Sequence, residues 1–209
     1  MFTILKVCGL IDDPQNYQVV RIQGVTHAGF IFVDSSPRNV DNTFPTPGVK
    51  RIGVFVNAST DFIKASIEKH QLDVIQLHGN ETPDTCRELR QFCEVIKSFG
   101  IHETSDLALT EDYHGSCDLF LFDTKTSSHG GSGIAFDWTV LADYSGNTPF
   151  LLSGGIGLSS LEDLKRFSHP LCVGLDINSR FELQPGIKNH QLIQTFIHEL
   201  NNNHFFSRS

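Results

Sequence analysis

Lys6 and Cys8 stand two residues apart in the run Ile4-Leu5-Lys6-Val7-Cys8-Gly9, so on an extended strand both project from one face. An ammonium beside a thiol lowers the thiol's pKa, which makes Cys8 a candidate thiolate base or nucleophile. A buried thiol that only packs is the alternative. Asp123 ends the apolar run Asp118-Leu119-Phe120-Leu121-Phe122 and shares a face with Leu119 and Leu121. A carboxyl at the mouth of an apolar strand has its pKa raised by burial and can act as a general acid; pairing with Lys6 or Lys125, or capping the next turn, is its plainer role.

Ser153-Gly154-Gly155-Ile156-Gly157 is a turn whose glycines let backbone N–H groups approach an anion, and Asn178 and Ser179 could add amide and hydroxyl donors. Arg38, in Ser35-Ser36-Pro37-Arg38, offers a guanidinium that can hold a carboxylate through two parallel hydrogen bonds, or can be a solvated surface arginine. His78 falls at the end of a strand-like run, where a pocket residue or a hydrogen-bonded core residue would stand. The Gly-rich loop 124–133, with Gly130-Gly131-Ser132-Gly133, reads as a flexible lid or a plain solvated loop and contains no phosphate-loop lysine motif. The ten histidines form no H-x-H or H-x-x-x-H pair, so no metal site is expected.

These residues need a scaffold, and the pattern along the chain supplies one. Strand-like runs at 2–7, 27–32, 51–56, 73–77, 94–99, 118–122, 149–153 and 171–176 alternate with helix-like segments at 12–21, 59–70, 83–92, 103–113, 137–144, 159–167 and 189–200. Asp12 before Asp13-Pro14 marks one helix start, and Ser159 with Glu162 makes a capping-box pattern at another. Only 33–50, with Pro37, Pro45 and Pro47, lacks a clear helix, so the helix after strand 2 is expected to be short or missing. Such alternation implies parallel strands joined by crossovers, and eight units close into a compact (β/α)₈ barrel. An open doubly wound sheet is the alternative. In a barrel the C-terminal strand ends build the site, and the loops after strands 7 and 8 commonly hold phosphate. Alternation predicts Gly53, Phe55 and Asn57 inward with Ile52, Val54 and Val56 outward, and Gln76 and His78 inward with Ile75 and Leu77 outward. A single domain over 1–200 with a frayed tail at 201–209 follows.

Composition fits one globular domain: 209 residues, 39% hydrophobic, 19% charged, net charge −8. A chain of this length buries roughly 70% of its unfolded surface and needs no disulfide or structural metal. Its apolar stretches fall far short of the ~20 residues a membrane helix requires, and no basic leader is visible, so a cytoplasmic setting is expected. The five cysteines show no C-x-x-C spacing; Cys86, Cys93, Cys117 and Cys172 are expected to pack. Without a basic patch, nucleic acid is not an expected partner.

Nine segments in register resemble the phosphoribosylanthranilate isomerase family: Lys6-Val7-Cys8-Gly9, Ser36-Pro37-Arg38, Gly53-Val54-Phe55-Val56-Asn57, Gln76-Leu77-His78-Gly79, Phe122-Asp123-Thr124-Lys125, Gly130-Gly131-Ser132-Gly133, Phe136-Asp137-Trp138, Ser153-Gly154-Gly155-Ile156 and Pro185-Gly186-Ile187-Lys188. The resemblance spans nearly the whole chain. It implies a (β/α)₈ isomerase of tryptophan biosynthesis that performs an Amadori rearrangement of N-(5′-phosphoribosyl)anthranilate without cofactor or metal. It further implies Asp123 as general acid and Cys8 as general base. Arg38 would hold the anthranilate carboxylate, and the loops carrying Gly154, Gly155, Asn178 and Ser179 the phosphate; from their own positions Lys6 and His78 are expected to bind substrate, and Arg180 either adds its charge to the phosphate or marks a differently shaped loop. A monomer is expected rather than a dimer. In one place the chain departs from the family: Arg180 stands where a glycine is usual, and a side chain there resists positive φ. Other readings are a histidine-pathway type of sugar-phosphate isomerase, which uses two aspartates, and a non-catalytic sugar-phosphate-binding barrel.

Overall fold

The computed structural model describes residues 2–125, 137–203 and 205. Eight parallel strands, β1 (Ile4–Val7), β2 (His27–Ile31), β3 (Lys50–Phe55), β4 (Val74–Leu77), β5 (Glu94–Ile101), β6 (Leu119–Thr124), β7 (Phe150–Leu152) and β8 (Cys172–Ile177), pair in sequence order. β8 pairs with β1, aligning Lys6 with Asp176, and the sheet closes as the (β/α)₈ barrel that the alternation predicts. Each strand overlaps its run of β-branched and aromatic residues.

The barrel interior is filled by Cys8, Ile52, Val54, Val74, Ile96, Leu121 and Leu151. This reverses the expected parity of β3, where Ile52 and Val54 point in and Phe55 packs outward against Phe32 and Phe62. Ile-Gly-Val-Phe-Val is apolar in both parities, so alternation alone could not choose. The ladder chooses, because Val54 is level with inward-facing Gln76 on β4. On β1, β4 and β6 the expected inward faces hold.

Outside the barrel run α1 (Pro14–Val19), α2 (Thr60–His70), α3 (Pro83–Leu89), α4 (Leu161–Arg166) and α5 (His190–Asn202). The side chains of Asp13, Ser59, Thr82 and Asn189 accept the N–H groups of Gln15, Phe62, Thr85 and Leu192, capping α1, α2, α3 and α5. Each such cap is worth about 1 kcal/mol. The expected Ser159–Glu162 box does not form: a 3₁₀ turn at Leu158–Ser160 leads into α4, Gly157 N–H donates to Ser160 Oγ, and Glu162 pairs with Lys165. The segments after β5 and β6 are 3₁₀ rather than α, at Thr104–Tyr113 and Trp138–Asp143. Leu107 and Thr110, three residues apart, are buried in the first, and Trp138 and Leu141 in the second. That is the spacing at which a three-residue turn presents one face. Large rings cover the strands beneath, with Phe122, Tyr144 and Phe150 in contact.

Between β2 and β3 no helix forms among the described residues. Phe44 fills that space, its ring edge-on to Phe30 and Tyr17. A groove of about 600 Å³ remains beside α2, lined in part by Phe32, Phe62 and His70. The tail expected to fray from 201 is helical at Asn201 and Asn202, and Phe205 stacks on Phe2; 204 and 206–209 lie outside the described residues, as does most of the 124–133 lid, from 126 on. No helix among the described residues is long and apolar enough to cross a membrane.

Candidate active site

β1 delivers Lys6 and Cys8 into the barrel, and β8 delivers Asp176 opposite them. Lys6 Nζ donates to Asp176 Oδ1 at 2.9 Å, with the lysine side chain fully buried. Burial opposes its charge, but Asp176 and Cys8 outweigh that and raise its pKa. Lys6 is therefore the interior counter-ion of Asp176, a pairing that the sequence reading did not give it. The expectation for Cys8 also changes. Burial pushes the thiol up more than Lys6 pulls it down, and Asp176 pushes it further up, so its pKa lies above the ordinary value. An ammonium already neutralised by a carboxylate is a weak activator.

Asp123, next to last in β6, lies on the inward face with its side chain 17% exposed. Its Oδ1 accepts the N–H of Thr124 at 2.8 Å. Burial raises its pKa to about 6, with nearby Asp176 adding to the rise while Thr124 N–H, Lys6 and Ser153 oppose it. Ser153 Oγ also donates to Asp176 at 3.3 Å. His78, at the end of β4, places Nε2 3.8 Å from Asp123 Oδ2, while its Nδ1 lies 2.7 Å from Gln76 Nε2. Thus Cys8, Asp123 and His78 gather around the buried Lys6–Asp176 pair at the C-terminal mouth.

Gly154 and Gly155 follow β7 with φ of +85° and +66°, a conformation glycine adopts freely and other residues resist. A Cβ on Gly154 would collide with Thr124 Oγ1 and its N–H, so this turn is pressed against the end of β6 beside Asp123. After β8, Ser179–Phe181 form a 3₁₀ turn. Arg180 is exposed, its stem lying over the position a Gly157 Cβ would take. Among described residues positive φ outside glycine occurs only at Asn57 and Gln71, so this loop is shaped without the left-handed residue that glycine would permit. The loops after β7 and β8 meet where the Arg180 stem lies against Gly157.

Arg38 reaches the same rim, but its Nε and Nη2 are bound by Glu182 at 2.8 and 2.6 Å. Glu182, on β9 (Glu182–Gln184), also accepts from Lys188 Nζ at 2.6 Å, on the adjoining β10 (Ile187–Lys188). Lys188 donates to Asn178 Oδ1 at 2.6 Å, so the carbonyl end of that amide faces the cluster. Burial holds Lys188 down at about 8, and the two cations hold Glu182 below the usual carboxylate range despite burial. Sequence reasoning gave no role to Asp176, Glu182 or Lys188. Their signal was visible only as charged residues next to strand ends, because Lys6 and Arg38, the partners of Asp176 and Glu182, lie far off along the chain, and the pairing of Glu182 with Lys188 depends on the β9–β10 hairpin. Among the described residues no group of His, Cys, Asp and Glu is placed to hold a metal, and Cys86, Cys117 and Cys172 are buried while Cys93 is half-buried.

The family model for N-(5'phosphoribosyl)anthranilate (PRA) isomerase matches residues 5–199. The N-(5'-phosphoribosyl)anthranilate isomerase of Phocaeicola vulgatus is 44% identical over 200 residues, covering 94% of this chain and 97% of that protein. The phosphoribosyl anthranilate isomerase of Thermotoga maritima has the same fold, with a TM-score of 0.84 at 30% identity over 97% of this chain and 100% of that one. A further phosphoribosyl anthranilate isomerase, solved in complex with reduced 1-(o-carboxyphenylamino)-1-deoxyribulose 5-phosphate, superposes with a TM-score of 0.81 at 27% identity, over 97% of this chain and 100% of that one. Sequence and architecture agree along almost the whole length, and the chain belongs to the N-(5'-phosphoribosyl)anthranilate isomerase family, the isomerases of tryptophan biosynthesis.

Proposed function

We propose that Asp123 and Cys8 divide between them the two proton transfers by which this isomerase converts N-(5′-phosphoribosyl)anthranilate to 1-(2-carboxyphenylamino)-1-deoxyribulose 5-phosphate. Asp123 protonates the furanose ring oxygen; the C1–O bond breaks and the anilino nitrogen pushes in to give a protonated Schiff base. Cys8 then removes the proton on C2; the C–H electron pair forms the C1–C2 double bond while the C1–N π pair returns to nitrogen, giving an enolamine that tautomerises to the ketone. One observation carries this assignment. Asp123 and Cys8 are both within electrostatic reach of the same buried Lys6–Asp176 pair, and Asp123, with a pKa of about 6, keeps a usable proton near neutrality.

The remaining roles follow from where charge is offered. A ligand of the kind bound in the related structure carries a phosphate and a carboxylate. The backbone N–H groups of Gly154 and Gly155, together with Ser179, Arg180 and the amide of Asn178, suit the phosphate. Arg38 keeps the Nη1 end of its guanidinium for the anthranilate carboxylate, since Glu182 holds the other edge. His78 contacts the substrate beside Asp123. A monomer is taken as the working unit, and five unpaired thiols suit the cytoplasm. The single barrel domain takes in the residues up to 200.

Retention of a thiol rather than a second aspartate on β1 favours this substrate over the histidine-pathway type. The test follows the fluorescence of phosphoribosylanthranilate, made in place from anthranilate and phosphoribosyl pyrophosphate. Decay with the wild-type protein is expected, and Asp123→Asn should slow it at least ~10²-fold. A silent wild type that still binds sugar phosphates would favour the non-catalytic barrel.

A further inference from the structure

We propose that Lys97 and Glu81, outside the barrel mouth, are positioning residues that fix the turn carrying His78. The proposal rests on the reading of His78 as a residue of the site. β5 turns Ile96 and Ser98 toward the barrel and Lys97 away from it. Lys97 lies 2% exposed between the strands and the outer layer. Its Nζ donates to Leu77 O at 3.1 Å and Gly79 O at 2.7 Å, the carbonyls on either side of His78. It also reaches Ser98 O at 3.2 Å and Glu81 Oε2 at 3.2 Å.

Glu81, equally buried, completes the clamp from the other side. Its Oε2 accepts Gly79 N–H at 2.9 Å, and its Oε1 accepts Asn57 N–H at 2.7 Å at the end of β3. Asn57 Oδ1 in turn accepts Asn80 N–H at 2.7 Å, and Tyr113 Oη donates to Glu81 O at 2.8 Å. A Cβ on Gly79 would overlap Asn57, so the turn also fits closely against β3. His78 N–H itself donates to Phe55 O at 2.8 Å. The backbone on both sides of His78 is thereby tied to β3 and β5, and its ring is held between Gln76 and Asp123.

A buried ion pair is a poor way to gain stability, because desolvation cancels most of the attraction and apolar residues of similar volume serve as well. This pair's hydrogen bonds converge instead on the peptides flanking one site residue. Displacing a reacting constellation by about 1 Å can cost on the order of 10²-fold in rate, which gives such rigidity a use.

The test pairs a neutral exchange of the clamp, Lys97→Met with Glu81→Gln, with His78→Ala in a double-mutant cycle. Loss of kcat/KM by about tenfold or more is expected when the clamp is exchanged in the wild-type background, and less than about twofold when it is exchanged in the His78→Ala background. Inhibition by inorganic phosphate, bound on the opposite side at the 154–155 turn, should hold within about twofold in both. Equal losses in the two backgrounds, or none in the first, would overturn the proposal and leave the pair as a scaffold contact. His78→Ala alone with wild-type kcat/KM would instead remove the reading of His78, a result obtained without touching the clamp, and the proposal would fall with it. If the doubly exchanged chain does not fold, Glu81→Gln alone replaces it, since Lys97 then keeps its three carbonyls.

Discussion

At the residue scale, burial sets the chemistry more than neighbouring charge does. Lys6 was legible as the partner of Cys8 from their spacing. Asp176, which neutralises Lys6, was not, because the pairing crosses the closure of the barrel between β1 and β8. The consequence is a base whose pKa lies above its ordinary value and an acid at about 6. The competent form, protonated Asp123 with thiolate Cys8, is then a minority whose population does not change with pH between the two pKa values. Accordingly kcat/KM is expected to stay within about twofold from about pH 6.5 to 8.5; a tenfold decline across that range would mean that Cys8 already rests as the thiolate. Asp123→Asn removes a carboxyl that burial destabilises, so at pH 7 this variant should be about 1 to 3 kcal/mol more stable than wild type by urea unfolding while losing turnover. Arg38 and Lys188 make the opposite case. Glu182→Gln leaves the fully buried Lys188 and the partly exposed Arg38 underpartnered, and urea unfolding should show a loss of about 2 to 4 kcal/mol.

At the scale of the elements, the strand runs, the missing helix after β2 and the eight-unit order were readable because each strand is a short apolar run bounded by loops. What could not be read was which face of β3 points in, since its residues are apolar in both parities and only the register with Gln76 decides. The 3₁₀ segments after β5 and β6 were likewise hidden, because a helix-like run does not specify its pitch. The 153–157 turn was placed by its glycines, and the structure adds the reason for them in the positive φ at Gly154 and Gly155. Gly154→Ala forces a side chain into that conformation and against Thr124. Its expected effect is a loss of inorganic phosphate affinity of about tenfold, measured as inhibition, at about 1 to 3 kcal/mol of strain. Unchanged phosphate affinity would take the turn out of the phosphate site.

Across the whole molecule, two buried groups titrate in opposite senses. His27 is held down to about 4 by burial and by Lys50. Its native state therefore binds fewer protons than the unfolded chain between about pH 6.5 and 4, and stability is lost as pH falls through that window. Asp123, raised to about 6, acts in the other direction, because its penalty disappears once it is protonated. The two offset each other, so wild-type Tm should change by less than about 3 °C between about pH 6 and 4.5, whereas Asp123→Asn, lacking the compensating carboxyl, should lose Tm steadily as pH falls. The central claim remains the assignment of the C2 proton to Cys8. It is tested most directly by single-turnover decay of phosphoribosylanthranilate fluorescence with wild-type protein and with Cys8→Ser, using substrate carrying hydrogen or deuterium at C2. The account predicts decay at least ~10²-fold slower in the variant, with a deuterium isotope effect on the residual rate. Decay in Cys8→Ser at close to the wild-type rate would contradict it and move the base elsewhere in the mouth.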